Sequence, residues 1–355
     1  MSKQTVLVTG ANGYVALHVI HQCLAKGWSV IGTVRSEKAA NRVRSIFPDA
    51  VTISQLDIVM VADIVQPESF IPAFNGRSTV TAVINTASPL INNPKDVRYD
   101  VLDPAIRSAT AILEAVVKFG GEFVRRVVHT SSCAAVLNPA LGDAPGKTYT
   151  PEDYNPTTYK AAATGGHALA YMGSKALSER AMWAWVDDHK PLPFDVVSVA
   201  PAGLFGPHYL GALESKETID LLNLNLSSQM LWALAEPTAT PTPFNSYHLG
   251  CWADVRDAAA ALVAAVATPT AGGQRFICAN RCHWQLVRDA ARRAVPELAD
   301  RIDLGVPGSA EEARDTTYDI DGSKITEILG VQYTSLEESL GDSFAQLLEA
   351  ERRMR

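Results

Sequence analysis

Two residues spaced for acid–base chemistry lie in the run YMGSK at residues 171–175, namely Tyr171 and Lys175. Side chains four residues apart share one face of a helix, so the phenol and the ammonium would be neighbours. Tyrosine has an ordinary pKa of about 10, and a nearby cation lowers it by favouring the phenolate. We therefore expect Tyr171 to act as a general acid or base. Alone the spacing is weak evidence, because a tyrosine packed on a lysine stem gives the same pattern.

The start of the chain, TVLVTGANGYVA at residues 5–16, indicates a strand, a tight turn and a helix. The β-branched run before Gly10 suits a buried parallel strand, and Gly10 permits the turn. Gly13 allows a ligand to approach the backbone, and Ala16 lets the helix, expected over residues 13–26, lie close to the strand. Free N–H groups at a helix start bind phosphate. This is the context that a dinucleotide-binding motif requires.

Apolar runs that suit strands alternate along the first 200 residues with segments of helical periodicity. Such alternation predicts an α/β fold, a doubly wound parallel sheet with ligands bound at the carboxyl ends of its strands. The pattern fades after residue 200, where prolines become frequent. We expect residues 1–200 to form mainly the dinucleotide-binding Rossmann domain, and 201–355 mainly a smaller substrate lobe interleaved with returning Rossmann elements. The Ala-rich residues 160–170 suggest a mobile loop. The expected strands are Val6–Thr9, Val30–Val34, Val51–Leu56, Val80–Asn85, Arg126–Thr130 and Phe194–Val199.

Together, the glycine motif, Thr130-Ser131-Ser132 and the Tyr171/Lys175 motif resemble the short-chain dehydrogenase/reductase superfamily. The 39-residue spacing from Ser132 to Tyr171 is typical of its extended branch, as is the stretch DVRDAA at 254–259. Within that branch, the chain is most similar to the dihydroflavonol-reductase-like group, especially yeast-type aldehyde and carbonyl reductases. The resemblance covers nearly the whole chain and implies reduction of an aldehyde or ketone by hydride transfer from NADPH.

The resemblance assigns a catalytic set. Tyr171 would donate the proton, Lys175 would lower its pKa and hold the cofactor ribose, and Ser132 would hydrogen-bond the carbonyl oxygen. Ser131 is the competing serine, and either hydroxyl could instead cap local backbone. The residues expected at the cofactor are Thr9, Gly10, Asn12, Gly13, Tyr14, Val15, Arg35, Lys38, Asp57, Ile58, Thr86, Ala87, Ser88, Tyr171, Lys175, Pro201, Ala202 and Gly203.

Cofactor choice depends on the end of the second expected strand, where the adenosine ribose lies in this architecture. An acidic residue there would favour NAD, whereas Arg35, with Lys38 nearby, suits the 2′-phosphate of NADPH. Glu37 complicates that prediction unless its side chain faces solvent. Substrate contacts are less determined: we expect Ser132, Cys133, Tyr209 and Phe244, which favour a small neutral carbonyl compound.

Composition narrows the remaining possibilities. The net charge is −7 and basic runs are absent, which disfavours nucleic acid and membrane partners. Five scattered cysteines favour a reduced, cytoplasmic setting. Cys278, Cys282 and His283 offer too few ligands for a structural zinc site, so no metal is expected. The sequence leaves the oligomeric state open, as monomer or homodimer.

Two other functions stay open at this stage. One is a sugar-nucleotide epimerase or dehydratase with tightly bound NAD, which would prefer an acidic residue where Arg35 stands. The other is a noncatalytic dinucleotide-binding regulator, which typically lacks the tyrosine or the lysine.

Overall fold

The computed structural model describes residues 4–75, 80–89, 94–211, 219–236 and 250–354. Its centre is a seven-stranded parallel sheet in the order β10-β7-β5-β4-β1-β2-β3. The strands are β1 (Thr5–Thr9), β2 (Ser29–Val34), β3 (Leu56–Met60), β4 (Ala82–Asn85), β5 (Arg126–Thr130), β6 (Thr148–Tyr149), β7 (Asp195–Pro201), β8 (Gly203–Phe205), β9 (Cys251–Asp254), β10 (Arg275–Cys278), β11 (Asn280–Arg281) and β12 (Asp319–Ile320).

Helices cover both faces of this sheet, which confirms the predicted doubly wound α/β fold. They are α1 (Tyr14–Ala25), α2 (Glu37–Ile46), α3 (Pro48–Thr52), α4 (Ile71–Phe74), α5 (Asp103–Phe119), α6 (Tyr159–Thr164), α7 (Gly166–Asp188), α8 (Leu226–Ala235), α9 (Val255–Ala267), α10 (Trp284–Ala294), α11 (Ser309–Thr316), α12 (Ser323–Leu329) and α13 (Leu336–Met354). Helices α1 and α9 pack on one face, whereas α5 and α7 pack on the other. The central strands read as continuous apolar runs because both of their faces are buried.

Later parts of the chain return to this sheet and also build a second core. Strand β10 adds the seventh strand beside β7, and α9 covers β4, β5 and β7. A separate apolar cluster joins α8, α10 and α13 to a small sheet of β11, β9 and β8. No helix in the described ranges is long and apolar enough to cross a membrane.

The third strand differs from the prediction. Residues 48–52 form the short helix α3, Ser54 turns the chain with φ +57°, and β3 starts only at Leu56. The strand expected over 51–56 was therefore wrong by about five residues. Local β-branched content suggested the earlier start, but pairing of Leu56 to Met60 with Val30 to Val34 of β2 decides the bounds.

The segment before Tyr171 also differs, since residues 160–170 are helical apart from Gly165 and do not form a loop. Helix α6 ends at Thr164, Gly166 turns the chain with φ +84°, and α7 then runs without a break for 23 residues. Alanine favours helix, and the two glycines serve as the junction between α6 and α7.

Candidate active site

The glycine turn lies at the carboxyl end of β1, where α1 begins. Gly10 has φ +66°, and a Cβ at this residue would lie 3.1 Å from the Ala87 Cα, so only glycine fits. Gly13 caps α1 without a side-chain bond, which leaves the first N–H groups of the helix available to an anion. Tyr14 does not use its side chain there, because its hydroxyl donates to the Gly206 carbonyl at 2.6 Å.

Thr9 connects this turn to the loop that follows β4. It is fully buried, and its Oγ1 donates to Asn85 Oδ1 at 2.6 Å while accepting from the N–H groups of Thr86 and Ala87 at 3.1 and 3.0 Å. Asn85 Nδ2 also lies 3.2 Å from His129 Nδ1 on β5. The side chain of Thr9 therefore positions the loop after β4. It does not face the cleft, although Thr9 was predicted to contact the cofactor.

Ser132, Tyr171 and Lys175 meet at the carboxyl ends of β4 and β5. The Ser132 hydroxyl lies close enough to the Tyr171 phenol to favour its phenolate, and both side chains are half-buried. Lys175 Nζ donates to Ser88 Oγ in the β4 loop at 2.9 Å. Ser132 Oγ also accepts from the Ala134 N–H at 3.2 Å, so it caps the following turn as well as contacting Tyr171. The structure thus brings together the three predicted catalytic side chains.

Burial controls the protonation of this group. It raises the pKa of Tyr171 above its ordinary value, and the hydrogen bond with Ser132 only partly opposes the rise. Burial also lowers the pKa of Lys175 to about 8. In the protein alone, the pKa of Tyr171 is therefore raised, contrary to the expectation that the Lys175 charge lowers it. Tyr171 is a neutral phenol at neutral pH, ready to donate a proton.

Ser131 is engaged elsewhere, in a buried ionic cluster behind the active site. Its Oγ donates to Glu179 Oε2 at 2.8 Å, and Ser198 Oγ on β7 donates to Glu179 Oε1 at 2.5 Å. Arg275 on β10 completes the carboxylate's partners with bonds of 2.9 and 2.8 Å. Of the two serines, the structure therefore places only Ser132 at Tyr171.

The Arg275 guanidinium is itself fully partnered. It donates to the carbonyls of Pro151, Asp153 and Ala135, and it lies 4.0 Å from the ring centroid of Tyr154. Burial works to raise the pKa of Glu179, but Arg275 and the two serine hydroxyls outweigh it and lower the pKa below its usual range. The carboxylate is charged, and this cluster joins β7, β10 and the end of β5 to α7, one helical turn beyond Lys175.

A basic surface follows β2. Arg35 and Lys38 are exposed, and Ser36 caps α2 by accepting from the Ala39 N–H. The side chain of Glu37 pairs with Arg44, about two turns along the same helix, at 2.7 Å. That pairing holds the carboxylate further along α2, away from the end of β2. The exposed charges at the end of β2 are therefore the positive ones of Arg35 and Lys38.

Two expected cofactor residues are misplaced. Asp57 and Ile58 lie inside β3, and Asp57 is opposite Ile31 in the sheet register. Asp57 therefore lies three residues, or about 10 Å, before the strand's carboxyl end, and Ile58 is buried in the core against Gly32. Asp63 and Ile64, which follow β3, occupy the place that was predicted for this pair.

Two of the residues predicted to contact the substrate, Cys133 and Tyr209, lie elsewhere in the structure. Cys133 is buried, and its Sγ donates to the Ala200 carbonyl at 3.4 Å, so it faces the core. Tyr209 stacks on Phe47 and bonds to His21, two turns along α1 from the glycine turn, so it does not line the space at Ser132. Phe244 lies outside the described residues.

Three other expected residues form the junction between β7 and β8. Pro201 is the last residue of β7, Ala202 donates its N–H to the Cys278 carbonyl at 3.0 Å, and Gly203 is exposed. They lie at the same edge of the sheet as Ser132 because β5 and β7 are parallel neighbours.

Glu179 and Arg275 were missed by sequence reasoning. Glu179 lies four residues after Lys175 and eight after Tyr171, on the same face of the helix, and such a buried carboxylate requires a partner. Arg275 opens the otherwise apolar run of β10. These two signals could have suggested a buried charge pair, although not which residues would pair.

Metal ligands are not grouped in the parts of the chain that the structure describes, where no cluster of three or more His, Cys, Asp or Glu could hold an ion. Cys278 and Cys282 are buried free thiols, and His283 accepts from the Gln285 N–H at the start of α10.

Comparisons with known proteins agree with this architecture. A sequence model described as the NAD dependent epimerase/dehydratase family matches residues 6–279. The NADPH-dependent methylglyoxal reductase GRE2 of Saccharomyces cerevisiae is 30% identical over 356 residues, 99% of this chain and 100% of that protein. The ketoreductase azaE of Aspergillus niger is 31% identical, with 97% of each chain covered. The crystal structure of yeast methylglyoxal/isovaleraldehyde reductase Gre2 complexed with NADPH superposes with a TM-score of 0.88, at 29% identity and 99% and 100% coverage.

Glu179→Gln should destabilise the fold, because it leaves the buried Arg275 cation without its counter-ion. We expect a loss of about 3–5 kcal/mol in the free energy of unfolding, measured by urea denaturation. Glu349→Gln breaks an exposed pair with Arg353 on α13 and should cost about 1 kcal/mol or less. If the two variants lost the same free energy of unfolding, the buried Glu179–Arg275 pair would be no more important for stability than an exposed pair, which would contradict this prediction.

Proposed function

This chain belongs to the NAD dependent epimerase/dehydratase family, and we propose that it is an NADPH-dependent reductase that converts a small aldehyde or ketone into an alcohol. The resemblance to the extended short-chain reductases is confirmed by full-length similarity to the yeast methylglyoxal reductase. The observation that carries the proposal is the meeting of Ser132, Tyr171 and Lys175 beside the glycine turn. A noncatalytic regulator has no need of that arrangement.

Tyr171 would supply the proton. A carbonyl oxygen that receives a hydride on its carbon becomes an alkoxide, which is far more basic than a phenolate. A neutral Tyr171 can therefore protonate it, and the Ser132 hydroxyl stabilises the developing oxygen charge and the resulting phenolate. Lys175 adds a positive charge one helical turn away, which favours the phenolate once the proton has left.

The residues present fit a dinucleotide. The N–H groups at the start of α1 suit a pyrophosphate, and a Cβ at Gly13 would come within 3.1 Å of the Gly10 carbonyl oxygen and narrow that cradle. Arg35 and Lys38 suit the 2′-phosphate that distinguishes NADPH from NADH, and Asp63 and Ile64 follow β3 where an adenine contact is expected. When bound, the cofactor supplies the hydride.

The substrate would be small and neutral. The yeast relative is named for methylglyoxal, an α-oxoaldehyde, and we assign this chain the broader class of aldehydes and ketones. We propose that the lobe built from α8, α10 and α13 borders the substrate space. The positive charge at Arg35 favours this function over an NAD-dependent epimerase.

Tyr171→Phe should remove nearly all turnover, because only the acidic hydroxyl is lost. General acid catalysis contributes about 10²–10⁴-fold, so kcat should fall at least a hundredfold in an assay of NADPH absorbance at 340 nm with α-oxoaldehydes, aryl ketones and β-ketoesters. NADPH affinity, measured by fluorescence titration, should stay near that of the wild type. A variant that kept more than about a tenth of the wild-type kcat would exclude Tyr171 as the proton donor.

Gly13→Val should weaken NADPH binding while the chain stays folded. The backbone of Gly13 is extended, with φ −77° and ψ 158°, a conformation that valine accepts readily. The added side chain would crowd the start of α1, so we expect the Kd for NADPH to rise at least tenfold with little change in Tm. Unchanged affinity would remove this turn from the cofactor site.

Arg35→Asp should erase or reverse the preference for NADPH over NADH. A hydrogen bond to a charged group contributes about 1.5–3 kcal/mol, so wild type should prefer NADPH by about tenfold or more in kcat/KM. The change should appear mainly in the KM for NADPH, since this contact is the same in ground and transition states.

Arg44→Asp is the matched control on the same helix. Both changes are made in a Glu37→Gln background, so that no carboxylate is released toward the strand end when its partner Arg44 is replaced, and the preference should survive the equal change in charge at residue 44. If both variants shifted the preference alike, the overall positive charge of α2 would explain the preference for NADPH, and a direct contact from Arg35 would not.

A further inference from the structure

Lys175 has a direct side-chain partner in the loop after β4. Its Nζ donates to Ser88 Oγ at 2.9 Å, across 87 residues of sequence. Lys175 is half-buried on α7, whereas Ser88 is exposed at the rim of the cleft. The bond therefore joins the helix that carries Tyr171 to the loop that follows β4.

Ser88 is held in place by the buried network around Thr9. Thr9 Oγ1 accepts from the Thr86 and Ala87 N–H groups, and Thr86 Oγ1 donates back to the Thr9 carbonyl at 2.5 Å. Ala87 also packs against Gly10, where no Cβ would fit. Thr86 and Ala87, the two residues directly before Ser88, are thus held in place by hydrogen bonds and packing. The backbone of the loop therefore positions Ser88 for its contact with Lys175.

None of the titratable groups described around Lys175 provides a hydrogen-bond acceptor in place of Ser88. His129, on the neighbouring β5, has its pKa lowered to about 4, chiefly by burial, so it is neutral at neutral pH. Glu179, one turn further along α7, is engaged by Arg275, Ser131 and Ser198. Tyr171 on the same face is a neutral phenol. Burial lowers the pKa of Lys175 to about 8, so the amine loses its proton at mildly alkaline pH, and a hydrogen-bond acceptor beside it favours the charged form.

We propose that Ser88 is a positioning residue, whose hydroxyl holds the ammonium of Lys175 in its charged form and in the orientation that serves Tyr171. This inference rests on the proposed function, in which Tyr171 is the proton donor. An oxygen acceptor at 2.9 Å stabilises the ammonium more than the neutral amine. Ser88 thus offsets part of the desolvation of Lys175 without adding a second charge to the cleft.

The test compares Ser88→Ala, Ser88→Thr and wild type. Loss of a hydrogen bond to a charged group should lower the pKa of Lys175 by about one unit. The alkaline limb of the kcat/KM profile, expected near pH 8 in wild type, should therefore move to about pH 7 in Ser88→Ala, with kcat/KM at pH 8 reduced about fivefold, because the protonated fraction of the lysine falls from about one half to about one eleventh. Threonine keeps the hydroxyl and should restore the wild-type profile. Ser45→Ala, an exposed serine on α2, should change nothing.

A second readout does not depend on activity. The pH dependence of Lys175 acetylation by acetic anhydride, followed by mass spectrometry of the protein alone, reports the pKa of its amine. We expect the same downward shift in Ser88→Ala and none in Ser88→Thr. An unshifted lysine pKa with an unshifted activity profile would overturn the proposal for Ser88. Absence of reductase activity in wild type, with the lysine shift still present, would instead overturn the proposed function.

Discussion

The active site depends on the buried ion pair between Glu179 and Arg275. Two charges away from water persist only when nearly every oxygen and N–H group has a partner, since the desolvation cost otherwise exceeds their attraction. That condition is met by two serine hydroxyls, three backbone carbonyls and an aromatic face. The partners come from β7, β10 and α7, from Ser131 directly after β5, from Ala135, and from the segment that follows β6, so the pair can form only when these elements are in place. It thereby fixes α7 against the strand that ends in Ser132.

The opposite wall of the cleft is held by a neutral network. Thr9 joins β1 to β4 through Asn85, and Asn85 reaches β5 through His129. These hydrogen bonds therefore tie together the glycine turn, the loop with Ser88 and the strand that leads to Ser132. Side chains that must hold reacting groups within a fraction of an ångström are best carried by such rigid elements. Ser88 and Lys175 join the two walls.

Burial also sets the chemistry. Desolvation disfavours both charged forms, so it raises the pKa of Tyr171 and lowers that of Lys175. The sequence suggested a simpler picture, in which the lysine lowers the tyrosine pKa. In the protein alone the phenol is protonated, which is the state that a proton donor needs, and the lysine charge stabilises the phenolate after the transfer. The pair is thus suited to reduction.

The sequence by itself determined the parallel α/β fold, the strand–turn–helix at Gly10 and Gly13, and the Tyr171/Lys175 pair, because each is a local pattern with a fixed period. It could not determine the bounds of β3, since these depend on pairing with β2. Asp57 was therefore predicted to follow the strand, whereas in the structure it lies inside β3 and Asp63 follows it. The pairing of Glu179 with Ser131 and with Arg275 likewise required the tertiary structure. These contacts join residues 48 to 96 positions apart, and no local preference specifies partners over such distances.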